Sequence, residues 1–308
     1  MKIGLVDVDS HHYPNLPLMK LSAWHKQRGD SVEWYSPLLS GHMDRVYMSK
    51  VFTFTDDFNW IIDTEELYKG GTGYAIKTVD GVEMFDRDKD IQLPDEIEHI
   101  KPDYSIYGID DTAYGFLTRG CPRGCPFCHV GRKEGLRSRH VADLDEFWDG
   151  QKNLCLFDPN ILASKDSVEL LTKIADTGAM VDFNQGLDIR FMTEEKAEIL
   201  KRIKLYTLHF AWDRYEDMKT VLPKLRMFRD YVSIQPRKVM VYVLCNYDTT
   251  FEQDLERIYK IREVGFSPYV MLYDKEHIPR GDRLKKLQRW TNAQQIFWQT
   301  ERFEDYNR

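Results

Sequence analysis

The sequence predicts an α/β protein in two parts: a small open α/β layer, then six strand–helix units in order. Three observations carry this prediction. Short apolar runs (KIGLVD, NLCLFD, MVDFN, YTLHF, VMVYVL, YVMLY) alternate with segments of helical spacing. Glycines and capping residues punctuate the joins, as at Gly29 and Thr193. A charged stretch from about Asp80 to Asp103, holding Pro94 and Pro102, separates the opening elements from the later series. The expected domains are therefore 1–103 and 104–308.

In the first part, Lys2–Asp7 reads as a buried strand. Leu16–Arg28 reads as a helix stopped by Gly29, Val32–Tyr35 as a second strand, and Arg45–Phe54 as containing a third. In the second part the expected strands are Gly115–Thr118, Asn153–Asp158, Met180–Asn184, Tyr206–Phe210, Val239–Leu244 and Tyr269–Tyr273. The expected helices are Asp166–Thr177, Thr193–Arg202, Arg214–Asp230, Thr250–Val264 and a basic helix from about Asp282. Strands and helices alternating at this spacing imply a parallel sheet, open or closed into a partial barrel. In either form ligands collect at the carboxyl ends of the strands.

Bulk properties bound the function. The chain has 308 residues and a formal net charge of −7, enough length for a sizeable core and no bulk reason to expect nucleic acid. The opening MKIGLVDVD has no basic start, so no signal peptide is expected, and no run approaches about 18 apolar residues. The cysteine count is five, and three of them cluster, unlike a disulfide framework. The expectation is a soluble protein of a reducing compartment, the cytoplasm.

The cluster lies in GFLTRGCPRGCPFCHV, residues 115–130, where Cys121, Cys125 and Cys128 follow C-x3-C-x2-C. Thiolates select zinc or iron–sulfur. Four thiolates complete an ordinary four-iron cluster, so three leave one iron for a substrate or cofactor. Gly120 and Gly124 let such a loop wrap tightly. A zinc site completed by His129, Cys155 or Cys245 is the plainer alternative, although only one C-x2-C knuckle is present. Cys155 and Cys245 lie in apolar strands and read as small buried hydrophobes.

With Phe127 just before the last cysteine, this motif resembles that of the radical S-adenosylmethionine superfamily. The resemblance covers roughly Gly115 to Tyr273. It implies a partial (β/α)6 barrel and a [4Fe-4S] cluster on the three cysteines. It also implies S-adenosylmethionine chelated to the open iron, an electron donor such as flavodoxin or ferredoxin, and a 5′-deoxyadenosyl radical that takes hydrogen from a substrate. Residues at the strand ends become cofactor-binding candidates: Phe127 in the loop, Phe157, Asp158 and Asn160 after the second strand, and Asn184, Gln185 and Arg190 after the third. Arg190 suits a carboxylate as a bidentate partner. Asp158 and Asn160 equally suit turn and capping roles, and Arg190 a salt bridge near Glu194. Asp213 and Asn246 are weaker candidates, and His209 reads as a satisfied core histidine. No residue is assigned a catalytic role, and the substrate has no readable signature.

Residues 13–35 resemble the opening of the cobalamin-binding-type domain that precedes some radical enzymes. The form D-x-H-x-x-G is absent: Asp9-Ser10-His11-His12-Tyr13-Pro14 places proline where glycine belongs. A cobalamin-dependent radical methyltransferase is therefore the second reading, and a zinc-stabilised binding module the third. Gly70–Tyr74 reads as a flexible turn rather than a ligand loop. Arg280, Arg283, Lys285, Lys286 and Arg289 around Trp290 read as a solvated basic face rather than a nucleic-acid surface.

Overall fold

The computed structural model describes every residue except His12, Asp80, Gly81, Ser233, Pro236, Arg237, Asn307 and Arg308. The chain is mixed α/β with parallel sheets, and among the described residues no helix is long and apolar enough to cross a membrane. It divides into two compact units. One comprises Met1–Gly115, Gly120–Leu136 and Val141–Lys152; the other comprises Phe116–Arg119, Arg137–His140 and Asn153–Arg308.

The first unit opens with strand β1 (Lys2–Asp7), helix α1 (Leu16–Gln27) and strands β2 (Ser31–Trp34), β3 (Met43–Ser49) and β4 (Thr64–Gly70). These strands form one parallel sheet in the order β2-β1-β3-β4. β1 reads as an unbroken apolar run because both of its faces are covered. Ile3 and Leu5 pack with Leu18, Leu21 and Ile97 on one face, and Val6 packs with Tyr35, Met43, Val46 and Met48 on the other. Asn15 caps α1, its side chain accepting from the Leu18 N–H at 3.3 Å. β4 escapes the sequence reading because TEELYKG has no apolar run; as a mostly exposed edge strand it carries charge instead. Gly70–Tyr74, read as a flexible turn, instead closes β4 and enters the short helix α2 (Thr72–Ala75). The hairpin β5 (Ile76–Val79) and β6 (Val82–Phe85), helix α3 (Asp95–Glu98), β7 (Thr112–Gly115) and α4 (Val130–Glu134) complete the unit.

The second unit begins with the small antiparallel pair β8 (Thr118–Arg119) and β9 (Arg139–His140). Then follow β10 (Asn153–Leu156), α5 (Ser167–Thr177), β11 (Met180–Phe183), α6 (Glu194–Arg202), β12 (Lys204–Leu205), β13 (Leu208–Ala211), α7 (Met218–Tyr231), β14 (Val239–Cys245), α8 (Phe251–Val264), β15 (Ser267–Leu272), α9 (Arg283–Asn292) and α10 (Gln294–Gln299). β10, β11 and β12 pair in parallel, as do β13, β14 and β15. A parallel bridge between Leu187 and Phe210 joins the two sets. Along β14 the buried Val239, Val241, Val243 and Cys245 alternate with half-buried Met240, Tyr242 and Leu244, so one face packs and the other stays half open.

Gly115–Thr118, expected as one strand, is interrupted. β7 ends at Gly115 and β8 starts at Thr118 because the Leu117 and Thr118 N–H groups donate to the Asp158 carboxylate, at 3.2 and 2.5 Å, not to a ladder. The strand expected at Tyr206–Phe210 is likewise shifted to Leu208–Ala211, and Tyr206 is exposed.

Candidate functional site

In the first unit, the Cys121–Cys128 loop is a chain of tight turns. Gly120 and Gly124 take left-handed backbone, φ 87° and 55°, which few other residues adopt without strain. The Cys121 N–H donates to the Gly135 carbonyl at 3.1 Å and the Cys128 N–H to the Cys125 carbonyl at 3.0 Å. Glu134 reaches back from the end of α4 to accept from the Gly120 N–H at 2.9 Å. All three cysteines and Phe127 are half-buried. Among the described residues no three His, Cys, Asp or Glu side chains stand grouped as a metal site. The donor set nonetheless suits an iron–sulfur cluster: three soft, partly accessible sulfurs on one glycine-turned loop. His129, the sequence's alternative zinc ligand, meets Glu83 through Nε2 at 3.0 Å. Cys155 and Cys245 are buried in their strands, and burial pushes the Cys245 thiol up.

In the same unit, Asp9 and His11 are the described members of the Asp9-Ser10-His11 run that bear on the cobalamin reading. Asp9 is buried, and its two oxygens accept the Val51 and Phe52 N–H groups at 2.8 Å each. His11 holds φ 49°, and His12 lies outside the described residues.

The strand ends of the second unit are polar, and much of that polarity is already engaged. Asp158 is 3% exposed and accepts from Leu117, Thr118 and the Thr118 hydroxyl, the last at 2.7 Å. Burial pushes its carboxyl up to about 6, against the pull of these donors. Asn160 donates through Nδ2 to Asp188 at 3.1 Å. Arg190 donates through Nε to Asp188 at 2.6 Å and through Nη1 to Asp217 at 2.5 Å, instead of pairing near Glu194. Burial opposes its charge, yet the two carboxylates win and hold its pKa above the usual arginine value. Phe157, half-buried, lies 5.5 Å from the Phe116 ring. Asn184 is half-buried, and the exposed Gln185 donates to its side-chain oxygen at 3.1 Å. Gly186 then turns at φ 77°, where a Cβ would stand 3.0 Å from the His209 carbonyl.

Two arrangements escape the sequence reading. Arg257, on α8 and fully buried, donates to the Trp212, Asp213 and Leu244 carbonyls at 2.6–2.7 Å and pairs with buried Asp254 at 2.5 Å. It ties the carboxyl ends of β13 and β14 together from beneath. Asp213 therefore contributes a carbonyl to this brace. Asn246 sits at φ 67°, its N–H donating to Asp254 at 3.3 Å.

The second arrangement is a row on the half-open face of the strands: Asp182, His209, Tyr242 and Tyr269. His209 stacks on Tyr242 at 5.0 Å, and Tyr269 meets Tyr242 edge-on at 5.5 Å. His209 is not the satisfied core histidine expected from the sequence. Among the described residues, neither ring nitrogen has a hydrogen-bond partner, nor does Oδ1 of Asp182. Burial lowers the His209 pKa against the pull of Asp182, and burial raises that of Asp182. The available signal was a polar residue between apolar ones in each strand, Asp182 in MVDF and His209 in LHFA.

The basic C-terminal helix offers no stacking platform through Trp290. That ring is fully buried against Phe297 and Phe303, while Arg283 lies over Phe251 at 3.4 Å. No protein-family model matches the chain, and no curated protein matches it.

Proposed function

We propose that the chain is a radical S-adenosylmethionine enzyme whose cluster is held by Cys121, Cys125 and Cys128. The observation that carries this reading is the three-thiol loop: C-x3-C-x2-C, glycine-turned, with Phe127 before its last cysteine. In this reading the strand–helix series of the second unit is a partial (β/α)6 barrel, and the first unit's layer is Rossmann-like. The [4Fe-4S] cluster, when bound, supplies the electron for reductive cleavage of S-adenosylmethionine to a 5′-deoxyadenosyl radical. Cys121, Cys125 and Cys128 would hold the cluster, and their ligation would couple loop order to cluster content. Phe157, Asn184 and Gln185 are the strand-end residues proposed to face the cofactor. Asp158, Asn160 and Arg190 hold the loops in which those residues stand. The row Asp182–His209–Tyr242 offers unsatisfied polar atoms beside an aromatic wall and orients the substrate. A small redox protein of the flavodoxin or ferredoxin type is the electron donor.

Anaerobic reconstitution with iron and sulfide tests the reading. About four irons per chain and dithionite-dependent 5′-deoxyadenosine are expected. Each of Cys121→Ala, Cys125→Ala and Cys128→Ala should abolish the product, whereas Cys155→Ala and Cys245→Ala should keep the cluster. One tightly held zinc without sulfide, or any of the first three variants at the wild-type rate, overturns it.

A further inference from the structure

The first unit holds a cavity of about 530 Å³ that the proposed reaction does not use. It opens at the carboxyl ends of β1 and β2. The strand order β2-β1-β3-β4 sends the chain from β1 to one side and then back to the other, and this is the edge where open parallel sheets take their ligands. Its volume suits a small molecule or one large side chain.

The lining is aromatic and acidic. Trp34, Tyr35, Phe58 and Tyr107 supply rings, Asp7 and Asp9 supply carboxylates, and among the described residues no lysine or arginine takes part. Trp34 is 39% exposed. Its ring meets Tyr107 edge-on at 5.1 Å, and its Nε1 donates to the Ile106 carbonyl at 2.9 Å. Tyr107 donates its hydroxyl to Asp7 at 2.6 Å, and burial together with that carboxylate pushes its pKa up, so the phenol keeps its proton. Asp7 also accepts from the Ser10 N–H at 3.0 Å and from the Ser10 hydroxyl. Asp9 accepts two backbone N–H groups. Among the described residues the donors to the two carboxylates are neutral, and no lysine or arginine in the lining offsets their charge. His11, at its rim, holds a left-handed backbone that is uncommon outside glycine and clusters at ligand-binding positions.

We infer that this cavity binds a small organic cation: an ammonium or guanidinium group carried on an apolar body. Ring faces attract such a cation, and the attraction grows when the site is sheltered from water. The carboxylate of Asp7 takes its N–H donors where it has them. Phosphate-bearing and carboxylate ligands are excluded by the two fixed acids. The inference is independent of the cluster chemistry and needs no reconstitution.

The test is calorimetric titration of the full chain, with Trp fluorescence as the second readout. The probes are phenethylammonium, benzyltrimethylammonium, benzyl alcohol and 3-phenylpropionate. Both cations should bind at least tenfold more tightly than the alcohol, and the anion should not bind. A preference for phenethylammonium assigns Asp7 as a direct hydrogen-bond acceptor, and a preference for benzyltrimethylammonium assigns the rings the larger share; both support the site. Trp34→Ala, at a partly exposed position, and Asp7→Asn should each weaken the cations tenfold or more with far-UV circular dichroism unchanged. Tyr107→Phe keeps the ring and should stay within about threefold, which guards against a misfolded Asp7→Asn. Equal affinity for alcohol and cation, no cation binding below about 5 mM, or unchanged affinity in both Trp34→Ala and Asp7→Asn overturns the inference.

Discussion

The carboxyl ends of the parallel strands differ sharply between the two units. In the second unit the charges there are matched in place: Arg257 with Asp254, Arg190 with Asp188 and Asp217. In the first unit, among the described residues, Asp7 and Asp9 take neutral donors beside four aromatic rings. A buried charge with an internal partner holds backbone in position, whereas one without a cation remains a source of field for a ligand. The same edge of the same kind of sheet therefore serves as a brace in one unit and as a reception site in the other. In the second unit, unsatisfied polarity has moved from the strand ends to the half-open face at Asp182 and His209.

The comparison breaks first at Arg257. Replacing it with Met leaves Asp254 buried without its partner and frees three carbonyls, so a loss of about 3–5 kcal/mol is expected in urea unfolding. The double variant Asp254→Leu/Arg257→Met should recover part of that loss. A single variant within about 1 kcal/mol of wild type would show that the buried pair does not hold the strand ends, and the contrast with Asp7 would fall.

Arg190→Ala is expected to have a smaller effect, about 1–3 kcal/mol of stability, because Asp188 and Asp217 lose a charged donor at a partly buried position. Affinity for S-adenosylmethionine should change by less than about tenfold, since the guanidinium is already engaged. A hundredfold loss of affinity, about 2.7 kcal/mol, at unchanged stability would assign Arg190 to the cofactor carboxylate instead.

The smallest effect lies at His209. Burial holds its folded pKa below the ordinary 6.5, so as pH falls the unfolded chain takes up the proton first. Its contribution is intact above about pH 6.5 and is lost progressively below it. His209→Phe should flatten this acid-side loss and leave neutral-pH stability within about 1 kcal/mol, while lowering 5′-deoxyadenosine formation that depends on substrate. Asp182→Asn removes an oppositely shifted neighbour and should steepen the loss. A pH profile unchanged by His209→Phe would show that the histidine is not held neutral by burial.

Much of the α/β architecture is legible from the chain alone, because its signals are local. Apolar runs of strand length, Thr193 and Thr250 at helix starts, and Gly29 and Gly265 after helix ends each act within a few residues. The C-x3-C-x2-C spacing is equally local, which is why the proposed chemistry is readable before any fold is known. What tertiary structure alone decides are partnerships across long stretches of chain. Asp158 breaks the expected strand at Gly115–Thr118 from 40 residues away, and Arg190 finds Asp217 across 27. β4 is held in its sheet by a neighbour, not by its own charged sequence. Which face of a strand stays open, and hence that His209 has no hydrogen-bond partner among the described residues while Asp7 gains a phenol 100 residues distant, depends on packing that no window of sequence contains. Burial and charge pairing are properties of neighbours in space, and only the folded chain supplies those neighbours.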